Sequence, residues 1–317
     1  MTLVDLTVPS LEVRKLDTLP VAIIGAGPIG LAAAANLVER GIDFVIFEAG
    51  DQVASSVRKW GHTRLFSPWK HVVDPASRRL LEATGWKLPA AESLPTGTEL
   101  VERYLEPLAE LPQISSRIRT GVTVDAVTRQ GMDRTRTTNR AATPFLLRVT
   151  GSDGIEETTA RAVIDTSGTY ESPNSLASNG LAPLGLPEVA DRVSHALPDV
   201  LGRDRARFGG AHTTVVGAGH SAANTLLALA ELAEQEPGTR ITWLIRNANA
   251  VRVTTSEDDE LAARASIGRR VDQLVAAGRI AVVDRFEVVR LGRTDVGVRL
   301  HGLRAGELVE HDTDLVV

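Results

Sequence analysis

One short device occurs twice in this chain, and it constrains the fold more than any other feature of the sequence. Residues 21–37 read VAIIGAGPIGLAAAANL, and residues 213–224 read TTVVGAGHSAAN. In each, an apolar run turns through glycines directly into a helical pattern. A strand that enters a helix in this way opens a βαβ unit, which lays strands side by side in parallel and places helices on the sheet face.

The text around the two devices follows the same grammar. After the first come the alanine-rich helix closed by Gly41 and a strand DFVIFE ending in Glu48. Residues 60–95 are irregular and aromatic. A helix over TELVERYLEPLAEL and strands at VTVDAVT, PFLLRVTG and RAVIDTSG follow, joined by polar hairpin turns. Residues 171–190 are rich in Pro, Gly and Ser and read as a linker. Beyond it come strand TTVVGAG, helix SAANTLLALAELAEQ, strand RITWLIR, a helix around LAARASIGRRVDQLVAAG, and the runs IAVVD, EVVRLG, VGVRLHG and DLVV. A chain of 317 residues suits about two domains. The expected fold is α/β, with two Rossmann-like dinucleotide-binding domains, parallel sheets and small antiparallel β additions. The expected division is an N-terminal extension over 1–19, a first domain over 20–190 and a second over 191–317.

The first loop, Gly25-Ala26-Gly27-Pro28-Ile29-Gly30, is a G-x-G-x-x-G sequence between strand and helix. Gly25 allows the tight turn, Gly27 lets the backbone approach a pyrophosphate, and Gly30 lets helix and strand pack closely. Ala34 and Gly41 supply the small packing residue and the stop that such a helix needs. Glu48 stands eighteen residues past Gly30 at the end of the next strand, where a carboxylate accepts from both ribose hydroxyls. The bland alternative is a solvated charge at a strand end. The second loop, Gly217-Ala218-Gly219-His220-Ser221-Ala222, replaces the third glycine with alanine. Its following strand ends in Arg246, a cation that would grip a ribose 2′-phosphate and so favour NADP(H) over NAD(H). The alternative is a surface arginine that happens to follow a strand. A carboxylate on one side and a cation on the other suit two different dinucleotides. One chain holding both is a hydride relay from nicotinamide to flavin.

Composition excludes several other classes. A formal charge of −5 gives no reason to expect nucleic acid or an anionic membrane as partner. The one local basic stretch, residues 129–140, lacks interleaved aromatics and reads as a solvated hairpin tip. No apolar run has membrane-spanning length, and the first nineteen residues make a poor secretory signal, so the cytoplasm is expected. With no cysteine in the 317 residues, the chain has no thiolate nucleophile, disulfide or thiolate metal site of its own. His62, His71 and His220 lack metal-ligand spacing, so no metal is expected.

These features together resemble the FAD- and NAD(P)H-dependent flavoproteins with two dinucleotide-binding domains, in particular the flavin-containing monooxygenase-like and thioredoxin reductase-like branches. The resemblance covers about residues 20–317 and is carried by GAGPIGLAAAANLVERGIDFVIFE, LPTGTELVERYLEPLAEL, AVIDTSGTYESPN and VVGAGHSAANTLLALAEL. It implies FAD on the first loop and NADP(H) on the second. It places Thr166 and Gly168, after the strand AVID, beside the flavin, and Val124 or a neighbour at the adenine. It also places RKWGHTRLFSPW over the flavin ring, so Trp60, Phe66 and Trp69 either cover the ring or close the core beneath a loop. Arg64 either steadies an anionic reduced flavin or forms a surface ion pair; Ser67 lies beside it. His220 and Ser221 belong to the pyrophosphate turn.

Three departures from the family pattern matter. The Cys-x-x-Cys of disulfide-reducing members is absent. His195 lies where the oxygenase branch carries a Phe-x-Gly-x-x-x-His signature, without the phenylalanine and glycine. Family members also continue past a strand like DLVV, so a truncated chain is expected. The implied function is hydride transfer from NADPH to FAD and then to oxygen, with oxygenation of a small-molecule substrate. The alternatives are an electron-transfer reductase with a non-thiol acceptor such as a quinone or ferredoxin, and a non-catalytic dinucleotide-binding redox sensor. Oligomeric state stays open, a homodimer among the forms allowed.

Overall fold

The computed structural model describes residues 16–248 and 262–317. Most of the N-terminal extension, and the first residue of the helix around 261–278, lie outside the described residues. The chain forms two compact units, each assembled from separate stretches of sequence. The first takes in the chain through Ser55, Val73–Leu88 and Val101–Gly168; the second takes in Ser56–Val72, Pro89–Leu100 and Thr169–Val317.

In the first unit, numbering strands along the chain, β1 (Val21–Ile24), β2 (Phe44–Phe47), β3 (Ile118–Arg119) and β7 (Ala162–Asp165) form a parallel sheet in the order β3-β2-β1-β7. Ala22 and Ile23 of the central strand β1 are both fully buried, as a strand covered on both faces requires. A second sheet is an antiparallel meander of β4 (Thr123–Arg129), β5 (Phe145–Gly151) and β6 (Gly154–Ala160). It packs Leu147, Val149 and Ala160 against Ala22 and Phe47 of the parallel sheet. The helix Pro28–Glu39 stops where Gly41 takes φ +63°. The Gly41 and Ile42 N–H groups then close back on Val38 O and Leu37 O, satisfying carbonyls the helix end would leave bare.

The expected helix over 98–111 is broken into Gly97–Leu100, a π turn Val101–Leu105 and Glu106–Ala109. Pro107 has no N–H for the Arg103 carbonyl four residues back. The Trp86 indole N–H donates to that oxygen instead, at 2.8 Å.

The second unit repeats this plan. β8 (His212–Val216), β9 (Arg240–Leu244), β10 (Ala281–Val283) and β14 (Leu315–Val316) form a parallel sheet in the order β10-β9-β8-β14. β11 (Phe286–Arg293), β12 (Val298–Arg304) and β13 (Glu307–Thr313) form the antiparallel meander. Side chains alternate between the two faces, as strand geometry dictates. Ile241, Trp243 and Ile245 join the core under the helices His220–Gln235 and Ala262–Ala276, with Leu226, Leu229 and Val271. Leu244 and Val316 point the other way, into a core shared with Phe286, Val288, Val298 and Leu300 of the meander. The α/β architecture with two parallel sheets and antiparallel additions is therefore as expected. β6 and β13 are strands that the sequence reading left as hairpin turn or unassigned text.

Two histidines lie where β13 meets β8. The rings of His212 and His311 stand edge to face, centroids 5.7 Å apart. His212 Nε2 is hydrogen-bonded to Thr242 Oγ1, and His311 Nε2 to Thr214 Oγ1, each at 2.8 Å. Burial holds both below the ordinary histidine range; Arg240 and His311 press His212 further down, while Asp314 and Asp312 oppose. The unfolded chain then binds more protons than the folded one. The stability from these groups is complete above their unfolded pKa and is lost as pH falls through the depressed folded values. Urea unfolding of the second unit should hold a constant midpoint above about pH 6.5 and lose it at lower pH. His311→Gln, which keeps a hydrogen-bonding head but does not titrate, should flatten that slope.

Candidate functional site

The first glycine turn is held from several directions. The Gly25 N–H donates to Phe47 O at 2.7 Å, tying the turn to β2. Gly25 sits at φ +97°, and a Cβ there would stand 2.9 Å from Thr166 O. A Cβ on Gly30 would stand 1.9 Å from Gly25 O and 2.9 Å from Thr166 Oγ1, so the helix rests directly on the turn. The Thr166 hydroxyl, at the end of β7, shares its proton between Ile24 O at 2.6 Å and Gly25 O at 3.1 Å. Gly27 caps the helix with extended backbone, and Pro28 takes the first helical position, where its missing N–H is harmless.

On its outer side this turn is open. A Cβ on Gly27 would meet nothing within 4 Å, and Ile29 beside it is 69% exposed. The unpaired N–H groups of a helix start and its positive dipole end make such a place an anion site. Glu48 is only 9% exposed, and both of its oxygens are engaged. Oε2 accepts from Ala26 N at 2.7 Å and Oε1 from Gly50 N at 3.0 Å. A carboxylate offers about four acceptor positions, so these two bonds leave capacity for hydroxyls. The acid thus steadies the glycine turn as well as marking the strand end. Asp165 accepts from the Ser167 hydroxyl and N–H, which hold its carboxyl below the usual range and shape the turn toward Gly168 at φ +71°. Val124, half-buried on β4, packs on the cluster of Ala22, Phe47 and Val122.

In the second unit, Gly217 turns at φ +118° and Gly219 caps the helix His220–Gln235. Neither would bring a Cβ within 4 Å of anything. Both border a cleft of about 450 Å³ that is also lined by Arg246, Asn247, Phe286, Val288 and residues 174–178. The loop and the arginine that the sequence paired are thus walls of one cavity. Arg246 is exposed there, its guanidinium 3.5 Å from Ser178 O. Ser221 is exposed on the first turn of the helix. His220 is half-buried, its ring 5.4 Å from that of Phe66, and its Nε2 is buried with no partner among the described residues.

The stretch 56–72 packs within the second unit. The Trp60 ring lies against Gly97, where a Cβ would stand 2.9 Å from two ring carbons. Trp69 is 1% exposed and so closes a core; Phe66 packs on the helix-side core. Arg64 is exposed and donates to Leu94 O at 2.5 Å, with the Glu99 carboxylate 3.9 Å away. Ser67 is half-buried. His195 is exposed and is followed by Ala196 and Leu197 in left-handed backbone, while Ser194 N pairs with Val316 O. Sequence reasoning missed the cleft wall at residues 174–178, which it took for linker. Its Asn and Ser content was the available signal, because such segments offer backbone and hydroxyl hydrogen bonds.

Comparison with known proteins places the family and the fold. A family model described as pyridine nucleotide-disulphide oxidoreductase matches residues 22–317. No curated protein sequence matches the chain significantly. Among solved structures, bacillithiol disulfide reductase from Bacillus cereus is similar at 21% identity and TM-score 0.69, over 94% of this chain and 76% of that one. The FAD-bound cadaverine monooxygenase of desferrioxamine biosynthesis from Erwinia amylovora is similar at 14% identity and TM-score 0.66, over 94% and 77%. The ornithine N-hydroxylase of Kutzneria sp. 744, solved with reduced FAD, NADP+ and L-ornithine, is similar at 16% and TM-score 0.63, over 95% and 80%. At such identities the likeness is one of fold.

The two loops should answer differently to the same one-carbon change. Gly30→Ala drives a methyl into the Gly25 carbonyl and should destabilise the first unit by about 2 kcal/mol or more. Ala222→Gly at the matching position of the second loop should cost only about 1 kcal/mol, the helix propensity of alanine. Urea unfolding of both variants measures this, and equal losses would contradict the packing described.

Proposed function

We propose a function for this chain, which belongs to the pyridine nucleotide-disulphide oxidoreductase family: it passes hydride from NADPH to FAD, and onward to oxygen with oxygenation of a small molecule. The observation that carries the reading is the difference between the two strand ends. Glu48, buried and bonded to the first glycine turn, suits a ribose with free hydroxyls. Arg246, exposed in the cleft of the second turn, suits a ribose 2′-phosphate.

The residues present fit both groups. Gly27, Gly217 and Gly219 leave open space where a pyrophosphate must approach, and each turn opens a helix of more than eight residues. The Ala26 peptide and Glu48 would hold the adenosine side of FAD, with Thr166 bracing the turn. Gly219, Ser221 and Arg246 would hold NADPH. Bound FAD would supply the hydride acceptor and the electrons for the second substrate. These 317 residues hold no cysteine, so no dithiol relay from that flavin runs through them, which favours a non-thiol acceptor. Solved structures of this fold include a cadaverine monooxygenase and an ornithine N-hydroxylase beside a bacillithiol disulfide reductase, so the fold accommodates oxygenation as well as reduction.

A reductase with a non-thiol acceptor is the second reading. It is favoured by His195, which is exposed and lacks the phenylalanine and glycine of the oxygenase pattern. Rapid mixing separates the two. FAD-loaded protein is reduced anaerobically with NADPH and then mixed with oxygen. Return of the oxidised spectrum through a separate, long-lived absorbing species supports oxygenation; direct return supports the reductase. Protein that takes up no FAD would overturn both.

Cofactor choice is tested on Arg246. The wild type should be reduced by NADPH in preference to NADH. Arg246→Ala should lower that preference about tenfold or more, by raising KM for NADPH while leaving NADH unchanged. Equal loss with both cofactors would remove the 2′-phosphate role.

A further inference from the structure

The first glycine of the second loop is gripped by two consecutive residues of one strand. The Gly217 N–H donates to Leu244 O at 3.0 Å, which is continuous with the parallel pairing of β8 and β9. The Gly217 carbonyl accepts from the Trp243 indole Nε1–H at 2.7 Å. Trp243 is 3% exposed and sits in mid-sheet, its Cα registered with Val215 of β8 and Val282 of β10. Its ring lies in the helix-side core with Ile241 and Ile245. Both polar groups of the Gly217 backbone are therefore fixed from β9, which sets the direction in which Ala218 and Gly219 leave the sheet.

The first loop achieves the same end by other means. Gly25 N is held by Phe47 O, the match of Leu244, but the residue matching Trp243 is Ile46, which has no donor. There the Gly25 carbonyl lies against Gly30 and accepts from the Thr166 hydroxyl. The second loop has Ala222 in place of Gly30. A carbonyl placed 1.9 Å from that methyl, as Gly25 O would be, is sterically forbidden, so the Gly217 carbonyl must be aimed elsewhere. A partly buried carbonyl so aimed is best satisfied by a protein donor, and the indole N–H supplies one.

We infer that Trp243 is a positioning residue for the NADPH loop: its indole N–H replaces the contact that Ala222 forbids and holds the Gly217–Gly219 turn in the shape that receives the pyrophosphate. The inference rests on the function proposed above for its ligand, but the geometry of the loop can be tested without one.

The test uses the full chain and the variant Trp243→Phe, which keeps an aromatic ring in the core and deletes the donor. Ile241→Val, a trim of the same strand and the same core, is the control for loosening alone. Amide hydrogen exchange without ligand should quicken at residues 217–221 in Trp243→Phe, with β8 and β9 unchanged, and should not do so in Ile241→Val. The NADPH dissociation constant, read by titration, should rise about five- to thirtyfold in Trp243→Phe, with FAD content unaltered. Unchanged exchange in the loop, acceleration spread over the whole second unit, or equal effects in both variants would overturn the inference. If the wild type binds no NADPH, the proposed ligand fails, and the exchange comparison alone decides the role of Trp243.

Discussion

Gly25 and Gly30 touch where no side chain can stand, and the first unit depends on that contact. With the Gly25 carbonyl 1.9 Å from where a Cβ would be, the helix Pro28–Glu39 comes down onto the end of β1. That approach brings the helix N-terminus to the carboxyl edge of the sheet, where its free N–H groups face outward at Gly27. It also brings Ala26 N within 2.7 Å of Glu48 on the neighbouring strand. Thr166, arriving from the other neighbour of β1, closes the arrangement with its hydroxyl. Three parallel strands thus meet at one turn, and the open helix start at Gly27 is a consequence of how they pack.

The second unit shows how the same topology tolerates a different residue at its tightest point. Strand order, meander and helix placement repeat, yet alanine stands where the first unit has glycine. There an indole from the adjacent strand donates to the carbonyl of the first glycine, where the first unit uses a threonine hydroxyl. The architecture is set by the pattern of apolar residues on strands and helices; the fine shape of each loop is set by which donor reaches the first glycine. Arg246 and Glu48 then mark strand ends of opposite charge on otherwise matching frameworks.

Much of this was legible in the chain because its signals are local. The glycine turns, the short apolar strands, Gly41 as helix stop and the acid or base at each strand end are read from neighbours in sequence. The strands β6 and β13 were not legible. Their sequences, GIEETTA and ELVEHDT, are largely exposed edges of meanders and carry no clean alternation. The broken helix over 97–109 was hidden for a related reason: the apolar period is intact, and the break comes from Pro107 and from Trp86 capturing the Arg103 carbonyl. Residues 174–178 read as linker because Ser and Asn signal irregular backbone without saying what that backbone lines.

The sequence by itself determined that the chain would build two parallel sheets, each opened by a glycine turn, with an acid after one and an arginine after the other. Those outcomes follow from backbone sterics and from burial of apolar runs, which act within a few residues. Only the tertiary structure decided that Trp60 lies on Gly97, that Arg64 bonds to Leu94 O, that Trp69 is core, and that Trp243 grips Gly217. The three pairs among these join residues 26, 30 and 37 positions apart. Which aromatic or cation meets which backbone group depends on packing that no local period encodes.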